Sequence, residues 1–241
     1  RVSENNWLGE GKKLDFILAT DSESLSGRVN YTDPNYNFMG NSINYFISSE
    51  ANDKPDQGYE NSVHSLGINT SFEQYRNIFT NLGLSASYDD LRTVGSASDT
   101  LKKQSGEFSE LKGLYGFRYD NRNRSFMPTS GSIISFNQSL PIFADKQAIG
   151  NTFNAIKYKS FSDDVVGAGK FYISTITGIG DDDVRLSNRQ NLSSKKLRGF
   201  ERGKVGPIDG TDHIGGNYTT ALNLEASLPN FLPDSTRTDV G

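Results

Sequence analysis

Tyr218-Thr219-Thr220-Ala221-Leu222-Asn223-Leu224-Glu225-Ala226-Ser227-Leu228 is the stretch on which the fold is decided. Tyr218, Thr220, Leu222, Leu224, Ala226 and Leu228 fall on one side of an extended chain, and Thr219, Ala221, Asn223, Glu225 and Ser227 fall on the other, because successive strand side chains point to opposite faces. A helix would scatter the same row around its axis. The two-residue rhythm recurs in Leu14, Phe16, Leu18, in Leu25, Gly27, Val29, Tyr31, in Leu66, Ile68, Thr70, Phe72 and in Leu82, Leu84, Ala86, Tyr88. It continues in Tyr115, Phe117, Tyr119, in Ile134, Phe136, Leu140 and in Phe171, Ile173, Thr175, Thr177, Ile179. No segment reads as a helix.

Turn signals separate these runs at Asp33-Pro34-Asn35, Ser48 to Gly58, Gly95 to Gly106, Pro128 to Gly131 and Gly203 to Gly210. With about 10 residues per strand and about as many per connection, the 241 residues hold about twelve strands. No change of composition divides the chain into two domains.

The composition says which way the faces point. Only 34% of the residues are hydrophobic, against roughly 45–50% apolar in ordinary globular domains, so a large conventional core is not expected. Disorder is excluded by 15 Phe and 11 Tyr. The polar faces of the strands are Ser, Asn, Gly and Thr rather than the Lys and Glu of a soluble surface, and charge gathers in connections such as Asp53, Lys54, Asp56 and Asp181, Asp182, Asp183, Arg185. Charged connections and small polar strand faces suit a sheet with lipid on its apolar side and a wet lumen on the other. From pattern alone a membrane barrel is favoured over a soluble β-sandwich or carbohydrate-binding module. Residues 1–10 do not read as a signal peptide. The longest purely apolar stretch, Phe16 to Ala19, is far short of the ~18 residues of a spanning helix.

Residues for bond chemistry are sparse. The chain has no Cys, and its two histidines, His64 and His213, stand on separate segments without a second metal-ligating partner. Each is expected to cap a loop or face water. Asp181-Asp182-Asp183 lacks the glycine and distal Glu of a calcium loop, and a solvated loop is expected there. No nucleophile elbow, phosphate loop or basic stripe is present, so neither an enzyme nor a nucleic-acid binder is expected, and no metal or cofactor.

Two stretches call for more than chance. Tyr119-Asp120-Asn121-Arg122-Asn123-Arg124-Ser125-Phe126-Met127-Pro128-Thr129-Ser130-Gly131 joins two alternating runs. Pro128 fixes φ and Gly131 permits φ > 0, which defines a turn carrying an aromatic and two arginines. Leu197-Arg198-Gly199-Phe200 lies in a long connection that ends in Gly215-Gly216-Asn217. The glycine beside Arg198 leaves room for close backbone approach.

Leu197 to Phe200 resembles the Val/Leu-Arg-Gly-Phe motif of BamA-like outer-membrane protein assembly factors (the bacterial surface antigen family). Asn6-Trp7-Leu8-Gly9 looks like that family's segment just after the first barrel strand. Pro128, Thr129 and Gly131 match its Pro-Thr-x-Gly turn, and Gly215 to Asn217 match the Gly-Gly-Asn that opens the strand after the loop. The four occur in the family's order across nearly the whole chain.

The resemblance implies an all-β fold, an antiparallel transmembrane β-barrel of sixteen strands that folds and inserts other β-barrel proteins. Residues 1–241 would be an incomplete barrel domain of about twelve strands, with the preceding POTRA domains and the last strands outside it, and Tyr218 to Leu228 would be strand twelve. Such an isolated chain is not expected to form a stable membrane barrel. Leu197, Arg198, Gly199 and Phe200 would form the tip of a loop folded into the lumen. The independent alternation puts Glu225 on the inward face, and the resemblance makes it an acid that holds Arg198; a planar guanidinium favours a bidentate carboxylate. Asp239 is a weaker candidate for a second acid, since Arg237-Thr238 match the start of the next strand. Implied partners are unfolded outer-membrane proteins, assembly-complex lipoproteins and the lipid of a Gram-negative-type outer membrane. A passive porin and a polypeptide-translocating relative are the alternatives.

Overall fold

The computed structural model describes residues 1–180, 182–201 and 203–227. Leu228, Arg237, Thr238 and Asp239 lie outside the described residues, as does Asp181. Ten strands follow one another: β1 (Val2–Trp7), β2 (Lys12–Thr20), β3 (Ser24–Asp33), β4 (Ser42–Lys54), β5 (Tyr59–Tyr75), β6 (Ile78–Thr93), β7 (Gly106–Asp120), β8 (Gly131–Ala144), β9 (Ala148–Ser160) and β10 (Val166–Gly178). A long excursion follows, carrying the two-residue strands β11 (Ile208–Asp209) and β12 (Asp212–His213). β13 (Tyr218–Ser227) then returns to pair with β10. Among the described residues β1 to β10 and β13 form one antiparallel sheet of 11 strands in chain order, with β1 and β13 at its two edges.

Register carries the alternation from strand to strand, because residues directly opposite each other project from the same face. Phe16 stands opposite Val29 and Leu18 opposite Gly27 across β2 and β3. Leu66 meets Ala86 and Ile68 meets Leu84 across β5 and β6, and Phe171 meets Leu222 across β10 and β13. The apolar face is open: Leu66 is 58% exposed and Leu224 81%. The opposite, lumen face is covered, and it buries polar side chains such as Asn61, Asp89, Glu110 and Ser174. No helix among the described residues is long and apolar enough to cross a membrane.

Among the described residues the buried apolar side chains gather mainly in two small clusters, both at the rim where the excursion leaves β10. Tyr59, Leu91, Ala97, Leu101 and Leu186 form one, with Phe108 and Ile214 packed against it. Ala148, Ile176 and Val184 form the other. The low hydrophobic fraction follows, since one face of the sheet turns its apolar rows outward and the other is covered by polar residues.

Several local expectations are corrected. Asn6 and Trp7 lie inside β1 rather than after a strand, pairing with β2 up to the turn at Leu8 and Gly9. Ser48 to Lys54 is strand, not turn, because its backbone is paired with β5 from Ser48↔Ser65 to Lys54↔Tyr59; the reversal is made by Pro55–Gln57 and by Gly58 at φ 76°. Asp53 and Lys54 are therefore strand residues. A four-residue helix, α1 (Asp99–Lys102), was not legible; Ser98 caps it, its hydroxyl accepting from the Leu101 amide at 3.1 Å, and Leu101 is the buried residue that pins it. The Tyr218 run is the eleventh strand of this sheet. Strands of 17 and 16 residues (β5 and β6) and the long excursion use up the length that a ten-residue strand would divide further.

Lipid contact along the apolar face makes position decisive. In the full-length protein in liposomes, Leu66→Arg is expected to destabilise the barrel by about 2–4 kcal/mol in urea titrations, while Ser65→Arg on the lumen face costs much less. Equal losses at both positions would contradict the assignment of faces.

Candidate functional site in the lumen

The described residues between 179 and 217 leave the end of β10 and run back over the lumen face. The root of this excursion is held by a buried charge network. The Arg185 guanidinium, with only 4% of its side chain exposed, donates Nη2 to Glu110 Oε2 on β7 at 2.8 Å and has Nη1 3.5 Å from Asp89 Oδ2 on β6. It also lies over the Phe108 ring at 5.1 Å. Asp89 accepts from Asn61 Nδ2 and from the Ser187 hydroxyl, both at 2.7 Å. Glu110 accepts from the Ser87 hydroxyl at 3.0 Å and pairs with Lys112 Nζ at 2.6 Å. Two cations and two carboxylates thus balance one another, and each carboxylate has further donors, as buried charge requires.

The middle of the excursion is stitched by Gln190. Its Oε1 accepts from the Ser174 hydroxyl at 2.8 Å, and its backbone exchanges both hydrogen bonds with Gly216 at 2.7 and 3.0 Å. Gly215 has φ 69°, and a Cβ there would stand 3.0 Å from the Gln190 carbonyl, so both conformation and space demand glycine.

Farther along, Lys196 Nζ donates to Asn154 Oδ1 at 2.9 Å and lies 4.0 Å from the centre of the Tyr172 ring, while its carbonyl accepts from Asn223 Nδ2 at 3.0 Å. Burial, with the neighbouring Lys170, pushes the Lys196 ammonium below the ordinary lysine value. Arg198 Nη2 is 3.7 Å from Glu225 Oε1, and Lys170 Nζ holds Oε2 of the same carboxylate at 2.5 Å. The structure brings Arg198 and Glu225 together, but not in a bidentate fork: the arginine is 76% exposed and shares its acid with a lysine. Gly199 has φ 83° and nothing within 4 Å of a Cβ position. It is there for its left-handed backbone, not for the close approach expected. Leu197 is half-buried and Phe200 exposed.

The turn at residues 121–130 lies at the same end. Arg122 grips Asp120 with two hydrogen bonds, at 2.8 and 2.7 Å. Asn123 Oδ1 accepts from the amides of Thr129 and Ser130 at 3.1 and 3.3 Å, and its Nδ2 donates to Thr129 Oγ1 at 2.8 Å. Gly131 has φ 96°, and a Cβ there would collide with the Asn121 carbonyl. Pro128, Thr129, Arg198 and Glu225 line one cavity of about 560 Å³, so four of the residues singled out in the sequence meet in space; Leu197, Gly199, Phe200 and Gly131 are not in its lining.

Sequence reasoning missed Arg185, Asp89 and Glu110. Arg185 was placed among solvated connection charges, and the structure buries it. The usable signal was on the wall: Asp89 and Glu110 are acids on the same face of adjacent strands, with Ser87 directly opposite Glu110. Of the neighbouring acids, Asp183 is exposed, as expected of a solvated loop, and pairs with Arg189 at 3.4 Å, while the half-buried Asp182 pairs with Lys146 at 3.5 Å. His64 is exposed on the apolar face of β5 and caps no loop, and His213 lies in β12. Among the described residues no group of His, Cys, Asp and Glu could hold a metal.

Arg185→Met leaves the buried Asp89 without a cation and Glu110 with Lys112 alone, and breaking a buried pair in this way typically costs about 3–5 kcal/mol. Limited proteolysis of the full-length protein is expected to open the excursion in this variant and to leave it closed in Arg198→Ala, whose pair is exposed. Equal protection of the Arg185→Met variant would show that the network is not the anchor.

Residues 6–240 match the Omp85 superfamily domain. The sorting and assembly machinery component 50 homolog of Homo sapiens is 28% identical over 143 residues, 57% of this chain and 30% of that protein. The outer membrane protein assembly factor BamA of Neisseria meningitidis serogroup B is 24% identical over 95% of this chain and 32% of that protein. The crystal structure of BamA from Haemophilus ducreyi lacking POTRA domains 1–3 superposes with a TM-score of 0.85 at 23% identity, over 96% of this chain and 50% of that one. The chain thus spans about a third to a half of the length of these proteins. An eleven-stranded sheet with an apolar outer face and a loop anchored in its lumen, matched by the family along nearly its whole length, makes this chain a member of the Omp85 superfamily.

Proposed function

We propose that the chain supplies the barrel wall and lumen loop of an outer-membrane assembly factor, a protein that folds and inserts other β-barrel proteins. The observation that carries this reading is the course of residues 179–217. They turn back over the lumen face from the Arg185 network to Arg198, instead of leaving the sheet as an external loop. Wide channels need an open lumen, and here the chain fills part of its own. The assembly-factor role of the bacterial relative BamA supports the same reading.

No step of the proposed mechanism makes or breaks a covalent bond, so the protein is read as a non-enzyme. A substrate strand would pair its backbone with an exposed sheet edge, as in strand addition. Backbone groups without water need partners, which drives such pairing in lipid. The wall strands hold the loop, and the loop tip at Arg198 places a cation beside Glu225 and Lys170 at one end of the lumen. Proposed partners are unfolded outer-membrane proteins, assembly-complex lipoproteins and outer-membrane lipid; the proposed setting is a Gram-negative-type outer membrane, although the relatives include eukaryotic proteins.

A passive channel is the second reading, favoured by a polar lumen cavity of about 760 Å³ beside Thr152, Ser174 and Gln190. Reconstitution separates the two. Arg198→Ala in the full-length protein is expected to slow the folding of an added outer-membrane protein into liposomes several-fold with the variant itself correctly folded. Unchanged assembly with altered conductance would favour the channel and overturn the proposal.

A further inference from the structure

The lumen near the loop tip gathers more cations than acids. Lys170 on β10 and Lys196 and Arg198 of the excursion stand around one carboxylate, that of Glu225 on β13. Lys196 has partners of its own in Asn154 and the Tyr172 ring. Among the described residues Lys170 and Arg198 form ion pairs with Glu225 alone.

Their two claims on this acid differ in kind. Ala168 stands opposite Glu225 and Lys170 opposite Asn223 across β10 and β13, so Lys170 is the diagonal neighbour of Glu225 on the same face, within reach for a long side chain. Both are wall residues, and register fixes their separation whether or not the loop is in place. Lys170 Nζ holds Oε2 at 2.5 Å, and each side chain is only about one-third exposed, where an ion pair is screened less than at an open surface. Arg198 arrives from the excursion, comes no closer than 3.7 Å to Oε1 and is largely open to solvent.

A guanidinium grips a carboxylate best through both oxygens. Lys170 occupies one of them, which leaves Arg198 a single long contact. The same lysine changes the state in which the tip has withdrawn. Without Lys170, loss of Arg198 would leave a mostly buried carboxylate with no counter-ion, which is costly; with it, Glu225 stays neutralised. The chain beside Arg198 adds little hold. Lys196 is fixed through its carbonyl to Asn223 at 3.0 Å, whereas Gly199 has nothing within 4 Å of a Cβ position and Phe200 is exposed. A swing of residues 197–200 therefore breaks nothing upstream of Lys196.

We infer that Lys170 is a positioning residue that sets how tightly the loop tip is held: it competes with Arg198 for Glu225 and keeps that acid paired when the tip withdraws. The inference rests on the place of the loop in the lumen and not on the assembly reading.

A nitroxide at Phe200→Cys in the full-length protein tests it. The variants are reconstituted in phosphatidylcholine/phosphatidylglycerol vesicles and checked for folding by heat-modifiable migration. The mobile fraction of the spectrum reports the withdrawn tip, with Arg198→Ala as the reference for full release. Lys170→Met is expected to lower the mobile fraction several-fold, and Lys170→Arg, which returns the second cation, to bring it back towards the parent value. In a Glu225→Gln background Lys170→Met is expected to change nothing. If Lys170→Met fails the folding check, Lys170→Gln carries the same expectation. An unchanged or larger mobile fraction, or a decrease that persists with Glu225→Gln, would overturn the inference. Either result leaves the assembly reading to its own test with Arg198→Ala.

Discussion

In a pleated strand every second side chain points the same way, and in-register pairing makes that choice common to all the neighbours. The whole molecule depends on this constraint. A slip of one residue anywhere between β2 and β10 would turn Leu66 or Phe171 into the lumen and put Asp89 or Lys170 into the apolar face. Because the two faces are chemically opposite, register is set by each strand's own pattern, and it tolerates the bulge at Pro141, where β8 gains one residue against Leu111 and Lys112 of β7.

What the lumen lacks in oil it replaces with charge balance. The Arg185 network joins residues far apart in the chain through a guanidinium, two carboxylates and an ammonium, with hydroxyl and amide donors also bonded to the carboxylates. It holds the root of the excursion, where the small apolar cluster of Leu91, Leu101 and Leu186 also packs. The far end is looser. Arg198 reaches Glu225 only at 3.7 Å and is largely open to solvent. A firmly held root and a lightly held tip give the loop one place where it is built in and another where it can exchange partners.

Much of this was legible in the order of residues. Period two assigned the strands, their faces and the inward position of Glu225, and the turn residues Pro128, Thr129 and Gly131 marked a defined connection. The polar strand end Ser48 to Lys54 was misread because polarity was taken as turn, whereas a strand that leaves the apolar band is polar on both faces and still fully paired. The helix at Asp99–Lys102 is too short for a periodic signal and exists through its cap and one buried leucine.

The sequence by itself determined the class of fold, the two faces of the sheet and the motifs at Pro128 and Arg198, because these are set by local spacing and by conformational demands such as positive φ. Only the tertiary structure decided which charges are buried and with whom. Arg185, Asp89 and Glu110 carry no local mark of their meeting. Their partnership arises from register and from the path of a long excursion, through the cost of leaving charge unpaired away from water.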